Sequence, residues 1–280
     1  MIGTKYCPLF AVAWFALAGC SAIVCGQDKI DGWAIEYRAR ALRVESIQEL
    51  GTEPNTGVDL GVSIKVRNVS GRVVTGHAIG LGSPEGTVYT PVIEDGWQPD
   101  ATKDIRLSFR WGTPRVQTIR VAAVLFGDRA ADDGDPAAIE VMRLDRLGMF
   151  LEYTRCSTML DGLDSSHLDD ASIQAVIETL NQMPTEAVLM VSLPGSPQLR
   201  ASKRISAASP QAKRSLMSGV GSARHVFQRD LKELMELPAS SSSALAGQKR
   251  AQQYAHLKRK HEKFLAALQA LANRDEEVDQ

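Results

Sequence analysis

Hydrophobic and polar residues alternate with a period of two between Trp33 and Phe126, which is the pattern of strands with one buried face and one face in water. The run VDLGVSIKVR at residues 58–67 shows this most clearly, and KDIRLSFRW at residues 103–111 repeats it. The same pattern predicts further strands at about 33–48, 72–81, 87–94 and 116–126. The first of these changes face near residues 41–42, and turns containing Gly, Asn or Asp separate the others. Six or seven short antiparallel strands predict an immunoglobulin-like β-sandwich domain over residues 30–127.

The spacing of apolar residues changes to three and four after residue 127, which predicts helices. Asp135 as N-cap and Pro136 at the first helical position predict a helix over residues 136–161, whose apolar series includes Arg146. Three further helices are predicted: from Asp169–Asp170 to Pro184, from Ser209–Pro210 to Pro238, and from about Leu245 to Asn273. The last carries an apolar stripe of Tyr254, Leu257, Phe264, Leu268 and Leu271. Residues 136–280 are thus predicted to be a helical region that ends in a helical hairpin, and the fold class is α+β.

Residues 6–25, YCPLFAVAWFALAGCSAIVC, carry no charged side chain, follow Lys5, and have the layout of an export signal. The four residues LAGC at 17–20 resemble the lipobox of bacterial lipoproteins. This resemblance implies cleavage before Cys20 and a diacylglyceryl group on its thiol, and Ser21 is compatible with sorting to an outer membrane. Cleavage before Gln27, which would release a soluble secreted protein, is one alternative. Retention of the apolar segment as a membrane anchor is the other. Residues 1–26 are a leader in the first two cases, and all three place the body of the protein outside the cytoplasm.

Charge and composition give some information about possible binding partners, but they do not indicate a catalytic activity. The formal net charge is -1, with 44% hydrophobic and 23% charged residues, as in an ordinary globular protein. Basic pairs concentrate late in the chain, at Lys203–Arg204, Lys213–Arg214, Lys249–Arg250 and Lys258–Lys260. They favour either solvated helix faces or contact with an envelope protein or polyanion. Nucleic acid is disfavoured as a partner, because the chain is exported and lacks interleaved aromatic residues for stacking.

Acidic side chains form their densest cluster at Asp128, Asp132, Asp133, Asp135 and Glu140. Carboxylate oxygens are ligands for Ca²⁺, so Asp132 and Asp133 are the candidate metal ligands, although the spacing differs from that of the twelve-residue calcium loop. A purely structural loop is the favoured interpretation, and Ca²⁺ binding by these two residues is the alternative. His261–Glu262 lacks the second histidine of a zinc HExxH motif, because residue 265 is Leu. Cys156 lies on the apolar face of its helix and is predicted to be a buried, inert thiol. No cofactor and no catalytic set are predicted.

Three functions remain open. The favoured one is an exported envelope protein, anchored by lipid, that acts as a non-enzymatic binding or scaffold module. The second is an enzyme with a dispersed site near residues 128–140, which requires a concave pocket with several titratable groups. The third is a helical interaction device, which requires the stripe of residues 254–271 to be exposed. The body, including IKVRNVSGRVVTG at residues 64–76, resembles β-sandwich domains of uncharacterised secreted bacterial proteins, which implies a location and a fold but no activity.

Overall fold

A computed structural model describes residues 26–51, 61–83, 86–107, 118–128, 131–163, 168–183, 205–236 and 244–278. The strands are β1 (Gly26–Ile30), β2 (Trp33–Tyr37), β3 (Leu42–Glu49), β4 (Val62–Asn68), β5 (Val74–Ser83), β6 (Gly86–Trp97), β7 (Thr102–Leu107), β8 (Thr118–Phe126) and β9 (Asp133–Gly134). The helices are α1 (Pro136–Asp161), α2 (Asp170–Gln182), α3 (Pro210–Met235) and α4 (Ala244–Val278). A β-rich part followed by helices confirms the α+β class.

The strands form two sheets with a shared core. The larger sheet has the order β1-β2-β8-β5-β6, with β9 paired to β8, and the smaller has the order β3-β4-β7. Side chains from both sheets meet in one buried cluster that includes Trp33, Ile35, Leu42, Val44, Ile64, Val66, Trp97 and Val121. The period of two in the sequence is therefore the result of one face of each strand being removed from water.

The strand predicted at residues 33–48 is divided between the two sheets. β2 pairs with β8 in parallel, so the prediction of purely antiparallel pairing is wrong for these two strands. The chain crosses to β3 through residues 38–41, where Ala39 and Ala41 are buried. The N–H groups of Arg40 and Ala41 donate to the Asp133 carboxylate at 2.6 and 2.7 Å, which fixes the crossing. The change of face near residues 41–42 in the sequence marks this change of sheet.

Helix α1 covers the outer face of the larger sheet. Its Ala138 and Met142 pack on Ala78, Ala122 and Ala123, whose small side chains allow the helix to come close. The second part of strand β8, VAAVLF at residues 121–126, is consequently buried on both faces and has no polar position. Helix α1 begins and ends where the sequence predicts, with the Asp135 carboxylate accepting from Ala137 N–H at 2.8 Å.

The remaining helices assemble around α1. Helix α3 runs parallel to α1, since Glu140 meets Ser209 and Glu152 meets Arg224. Helix α4 runs antiparallel to α1, since Tyr254 bonds to the Leu160 carbonyl while Asp275 lies near Arg143. Helices α3 and α4 also run antiparallel to each other and meet near Asp230 and Lys260. Among the described helices, none is long and apolar enough to cross a membrane.

Two glycines determine how closely α1 and α3 approach. A Cβ atom on Gly148 would lie 2.0 Å from the Leu216 carbonyl oxygen, and one on Gly219 would lie 2.0 Å from the Asp145 carbonyl oxygen. Any larger side chain would force the helices apart. The crossing of α1 and α3 is therefore a backbone-to-backbone contact that requires glycine on both helices.

Candidate functional site

The acidic loop between β8 and α1 is the first candidate site, and its Asp132 is buried, with 1% of the side chain exposed. The carboxylate accepts hydrogen bonds from Arg143 Nη2 at 2.7 Å and from Arg274 Nη2 at 2.6 Å. It also accepts from the Phe126 N–H at 3.1 Å. Burial raises the pKa of Asp132, but the hydrogen bonds from Arg274 and Arg143 outweigh it, so the pKa lies below its usual value. Asp132 is an ionised, fully engaged side chain.

A second buried carboxylate, Asp275, completes this group. It lies 2.9 Å from Arg274 Nη1 and 3.5 Å from Arg146 Nη1. Arg146 is fully buried, and its Nη2 donates to the carbonyl and hydroxyl oxygens of Thr75 at 3.2 and 3.1 Å. We call Asp132, Arg143, Arg146, Arg274 and Asp275 the junction cluster, because it joins the sheet, α1 and the last turns of α4.

The other acidic residues of the loop have partners as well. Asp128 is paired with Arg72, and Glu140 accepts from the Ser209 hydroxyl at 3.2 Å. Asp133 binds the backbone at residues 40–41, and Asp135 caps α1. Within the described residues, no three His, Cys, Asp or Glu side chains are placed to hold a metal ion. The two candidate ligands, Asp132 and Asp133, are thus directed to different structural partners.

The arginines of the junction cluster were not identified from the sequence as functional or structural residues. Arg146 carries the one local signal, since it occupies a position in the apolar series of its helix. A charged residue on an apolar face predicts a buried ion pair. Nothing local marks Arg274, whose partner Asp132 is 142 residues away in the chain.

The interior of the helical part holds two further groups with shifted pKa values. Burial lowers the pKa of His261 to about 4, although nearby Asp230 opposes this, and the imidazole is neutral at pH 7. Its ring stacks on Phe227 with centroids 3.9 Å apart. Cys156 is buried, and this burial raises the pKa of its thiol, which remains protonated. Both side chains serve packing in this arrangement.

The basic pairs are divided between the surface and the interior. Arg250 is fully buried and donates to the carbonyl oxygens of Leu168 and Met235, each at 3.1 Å, so a solvated position is wrong for this residue. Lys213 and Arg214 are exposed on α3, whereas Lys260 pairs with Asp230 at 2.7 Å. Arg250 is therefore not part of any basic surface that the other described members form. Lys203 and Arg204 lie outside the described residues.

Four of the five residues of the stripe on α4 pack within the protein, whereas Leu271 is half-buried and lies outside the core clusters. Tyr254, Leu257 and Leu268 are buried, and Phe264 is partly buried in the same cluster as Tyr153 and Phe227. The exposure that a helical interaction device requires is absent at these described positions.

An open groove of about 590 Å³ is the second candidate site. It is lined by residues 28–30 of β1, residues 43–45 of β3, Arg67 and Val69. Val69 is 45% exposed and is the one large hydrophobic side chain that is exposed among the described residues. The lining contains Asp28 and Glu45 as well as Lys29, Arg43 and Arg67. The groove is therefore lined by acidic and basic residues together with the exposed apolar side chain of Val69.

The groove lies between an edge strand of the larger sheet and an edge strand of the smaller sheet. Within the described residues, β1 is hydrogen-bonded to β2 alone and β3 to β4 alone, so each is an edge strand. The turn between β1 and β2 has positive φ at Asp31 and Gly32, as a two-residue hairpin requires. The β3 edge is partly occupied, because the Val44 N–H donates to the Tyr37 hydroxyl at 3.2 Å. A pairing irregularity between Val44 and Ser46 also bends this edge.

Comparison of the chain with family models, curated proteins and solved structures finds no match. Cys20 and the whole segment of residues 6–25 lie outside the described residues, as do residues 58–60, 108–117, 184–204 and 237–243.

Proposed function

We propose that this chain is an exported envelope protein, anchored by a lipid on Cys20, whose β-sandwich acts as a non-enzymatic binding or scaffold module. The sequence LAGC after an uncharged, apolar segment supports the anchor. The mixed-charge groove between β1 and β3 is the observation that carries the binding role. The carboxylates of the junction loop are engaged in structural contacts, which removes the support that the sequence offered for an enzyme there.

We further infer that the sandwich is of the immunoglobulin-like type, as its strand order supports. If β3, β4 and β7 are taken as strands A, B and E, then β5, β6 and β8 correspond to C, C′ and F. The position beside F, which strand G takes in immunoglobulin domains, is taken here by β2 in parallel orientation. The hairpin of β1 and β2, which lines one side of the groove, therefore follows the proposed leader directly in the chain.

The intact mass of the mature protein, isolated from the membrane fraction of its native host or a close bacterial surrogate, tests the anchor. We expect a species that begins at Cys20 and carries additional acyl mass. Cys20→Ala abolishes the acylated species, whereas the control Cys25→Ala preserves it. A species that begins at Gln27 without lipid would refute the anchor and make the protein a soluble exported one.

A further inference from the structure

The groove lies close to the proposed lipid anchor. The first strand begins at Gly26, six residues after Cys20, and the groove begins at Asp28. Eight residues span at most about 30 Å, since an extended chain advances about 3.5 Å per residue. A lipid on Cys20 would therefore keep the groove within reach of the membrane surface, and this argument rests on the proposed function.

The charges of the groove are available to a ligand. Within the described part of the chain, Asp28, Lys29 and Arg43 form no ion pair. Arg67 is shared between Asp100, at 3.2 Å, and Glu45, at 3.9 Å. Lys29 follows Asp28 directly in β1, so its side chain lies on the opposite face of the sheet. Arg43 and Asp28 are thus the cation and the carboxylate at the groove, and this pair matches a ligand that carries one phosphate and one ammonium group.

The chemistry of the lining selects among such ligands. A primary ammonium group has three N–H groups that can donate hydrogen bonds to carboxylates. A quaternary ammonium group has none and is typically bound in a cage of aromatic side chains. The residues that line the groove include no aromatic side chain. The lining therefore favours ethanolamine over choline. An added peptide strand is less favoured, because Tyr37 occupies the Val44 N–H and the pairing irregularity interrupts the β3 edge.

We propose that the groove binds the head group of phosphatidylethanolamine at the membrane to which the protein is anchored. Arg43 contacts the phosphate, and Asp28 accepts hydrogen bonds from the ammonium group. Binding at this site would keep the groove side of the β-sandwich turned toward the membrane, in addition to the lipid anchor on Cys20.

Vesicle binding by the unacylated processed chain, residues 21–280, tests the head-group site separately from the anchor. This chain retains every described strand and helix, because the first begins at Gly26. We compare vesicles of phosphatidylcholine, of phosphatidylcholine with phosphatidylethanolamine in equal parts, and of phosphatidylcholine with phosphatidylglycerol. We expect affinity for the ethanolamine vesicles at least about fivefold above that for phosphatidylcholine. Equal affinity for phosphatidylcholine vesicles and ethanolamine vesicles, or no binding to either, would overturn the head-group site and favour an extended peptide as the ligand of the groove.

Two substitutions with matched controls distinguish a specific site from general attraction by basic residues. Arg43→Gln weakens binding to ethanolamine vesicles about fivefold. Asp28→Asn also weakens it, although this substitution makes the surface more positive and strengthens binding to phosphatidylglycerol vesicles. Arg106→Gln and Asp104→Asn make the same charge changes at exposed positions on β7, the opposite edge of the smaller sheet, and leave ethanolamine binding unchanged. Stronger or unchanged ethanolamine binding by Asp28→Asn would overturn the proposal.

Soluble phosphoethanolamine separates the two sources of this head-group chemistry. As a competitor at the concentration of accessible lipid, it displaces at most about half of the bound protein if the membrane lipid is the preferred ligand, because one site divides between two ligands according to their concentrations and affinities. Complete displacement at that concentration would refute a membrane ligand and indicate a soluble one. If the mature protein isolated from its host carries no lipid on Cys20, while the chain of residues 21–280 binds ethanolamine vesicles, the anchor is refuted and the head-group site stands.

Discussion

At the scale of single residues, Asp145 makes the stability of the protein depend on pH. Burial raises the pKa of this carboxyl from 3.8 to about 7, and the charge of Arg146 opposes that rise in part. The folded protein therefore holds a proton that the unfolded chain loses near its ordinary pKa. The free energy of unfolding falls as the pH rises from about 4 to about 7, and the loss is complete above the folded pKa.

Asp145→Asn removes this dependence, because the amide does not titrate. We expect the stability of the variant relative to the wild type to rise between pH 5 and pH 8 by an amount on the order of 2 kcal/mol. Urea unfolding at the two pH values measures it, and comparison between pH values cancels the effects of the substitution on packing. Asp104→Asn, at an exposed strand position, provides the control. A stability difference for Asp145→Asn that is the same at both pH values would contradict the raised pKa.

Two glycines on α3 differ sharply in what an added methyl group meets. At Gly219 the Cβ would lie 2.0 Å from the Asp145 carbonyl oxygen, whereas at Gly221 it would meet nothing within 4 Å. We expect Gly219→Ala to lower the free energy of unfolding by about 3 kcal/mol, since α1 and α3 must separate. Gly221→Ala is expected to raise it by about 0.5–1 kcal/mol through helix propensity. Denaturant unfolding of both variants measures the difference, and similar effects would argue against a close crossing.

At the scale of elements, the parts set by local sequence could be predicted and the parts set by distant contacts could not. The start of α1 was predictable because Asp135 and Pro136 supply the cap and the first turn from adjacent positions. The division of residues 33–48 into two strands was not, because the carboxylate of Asp133 fixes it from about 90 residues away. The change of face near residues 41–42 marks the position of the crossing, but periodicity alone does not distinguish a change of sheet from an irregularity within one strand.

Helix α4 depends on Arg274 for its attachment to the sheet. The guanidinium group donates to Asp132 at 2.6 and 2.8 Å and to the Asp128 carbonyl at 2.7 Å. Arg274→Ala leaves two buried carboxylates with fewer partners, and we expect it to lower the free energy of unfolding by about 3–5 kcal/mol. The same substitution at exposed Arg259, also on α4, is expected to have an effect below about 0.5 kcal/mol.

Hydrogen exchange tests where the loss from Arg274→Ala arises. We expect the amides of the last turns of α4 to lose protection first, because the junction cluster holds them while Tyr254 still holds the other end of the helix. Uniform loss of protection along α4 would contradict a local attachment.

At the scale of the whole molecule, contacts between distant residues join the two parts that the sequence predicts. The pattern predicts a sandwich over residues 30–127 and a helical region over residues 136–280, and nothing in it indicates how they meet. In the structure, α1 packs on the outer face of the larger sheet and Arg146 donates to Thr75 on β5. The candidate groove was equally hidden, because its two sides come from strands that are not hydrogen-bonded to each other.

This junction leads us to expect one cooperative unfolding transition for the whole chain. Trp33 and Trp97 lie in the core between the sheets and report on the β-rich part through fluorescence, while far-ultraviolet circular dichroism at helical wavelengths reports on α1 to α4. Coincident urea transitions by the two probes are expected for the wild type, since α1 belongs to both cores. Arg274→Ala weakens the attachment of α4 but leaves α1 on the sheet, so the two transitions are expected to stay coincident at a lower urea midpoint. Two separate transitions in the wild type would mean that the packing of Met142 of α1 on Ala122 and Ala123 is too weak to couple the β-rich part to the helices.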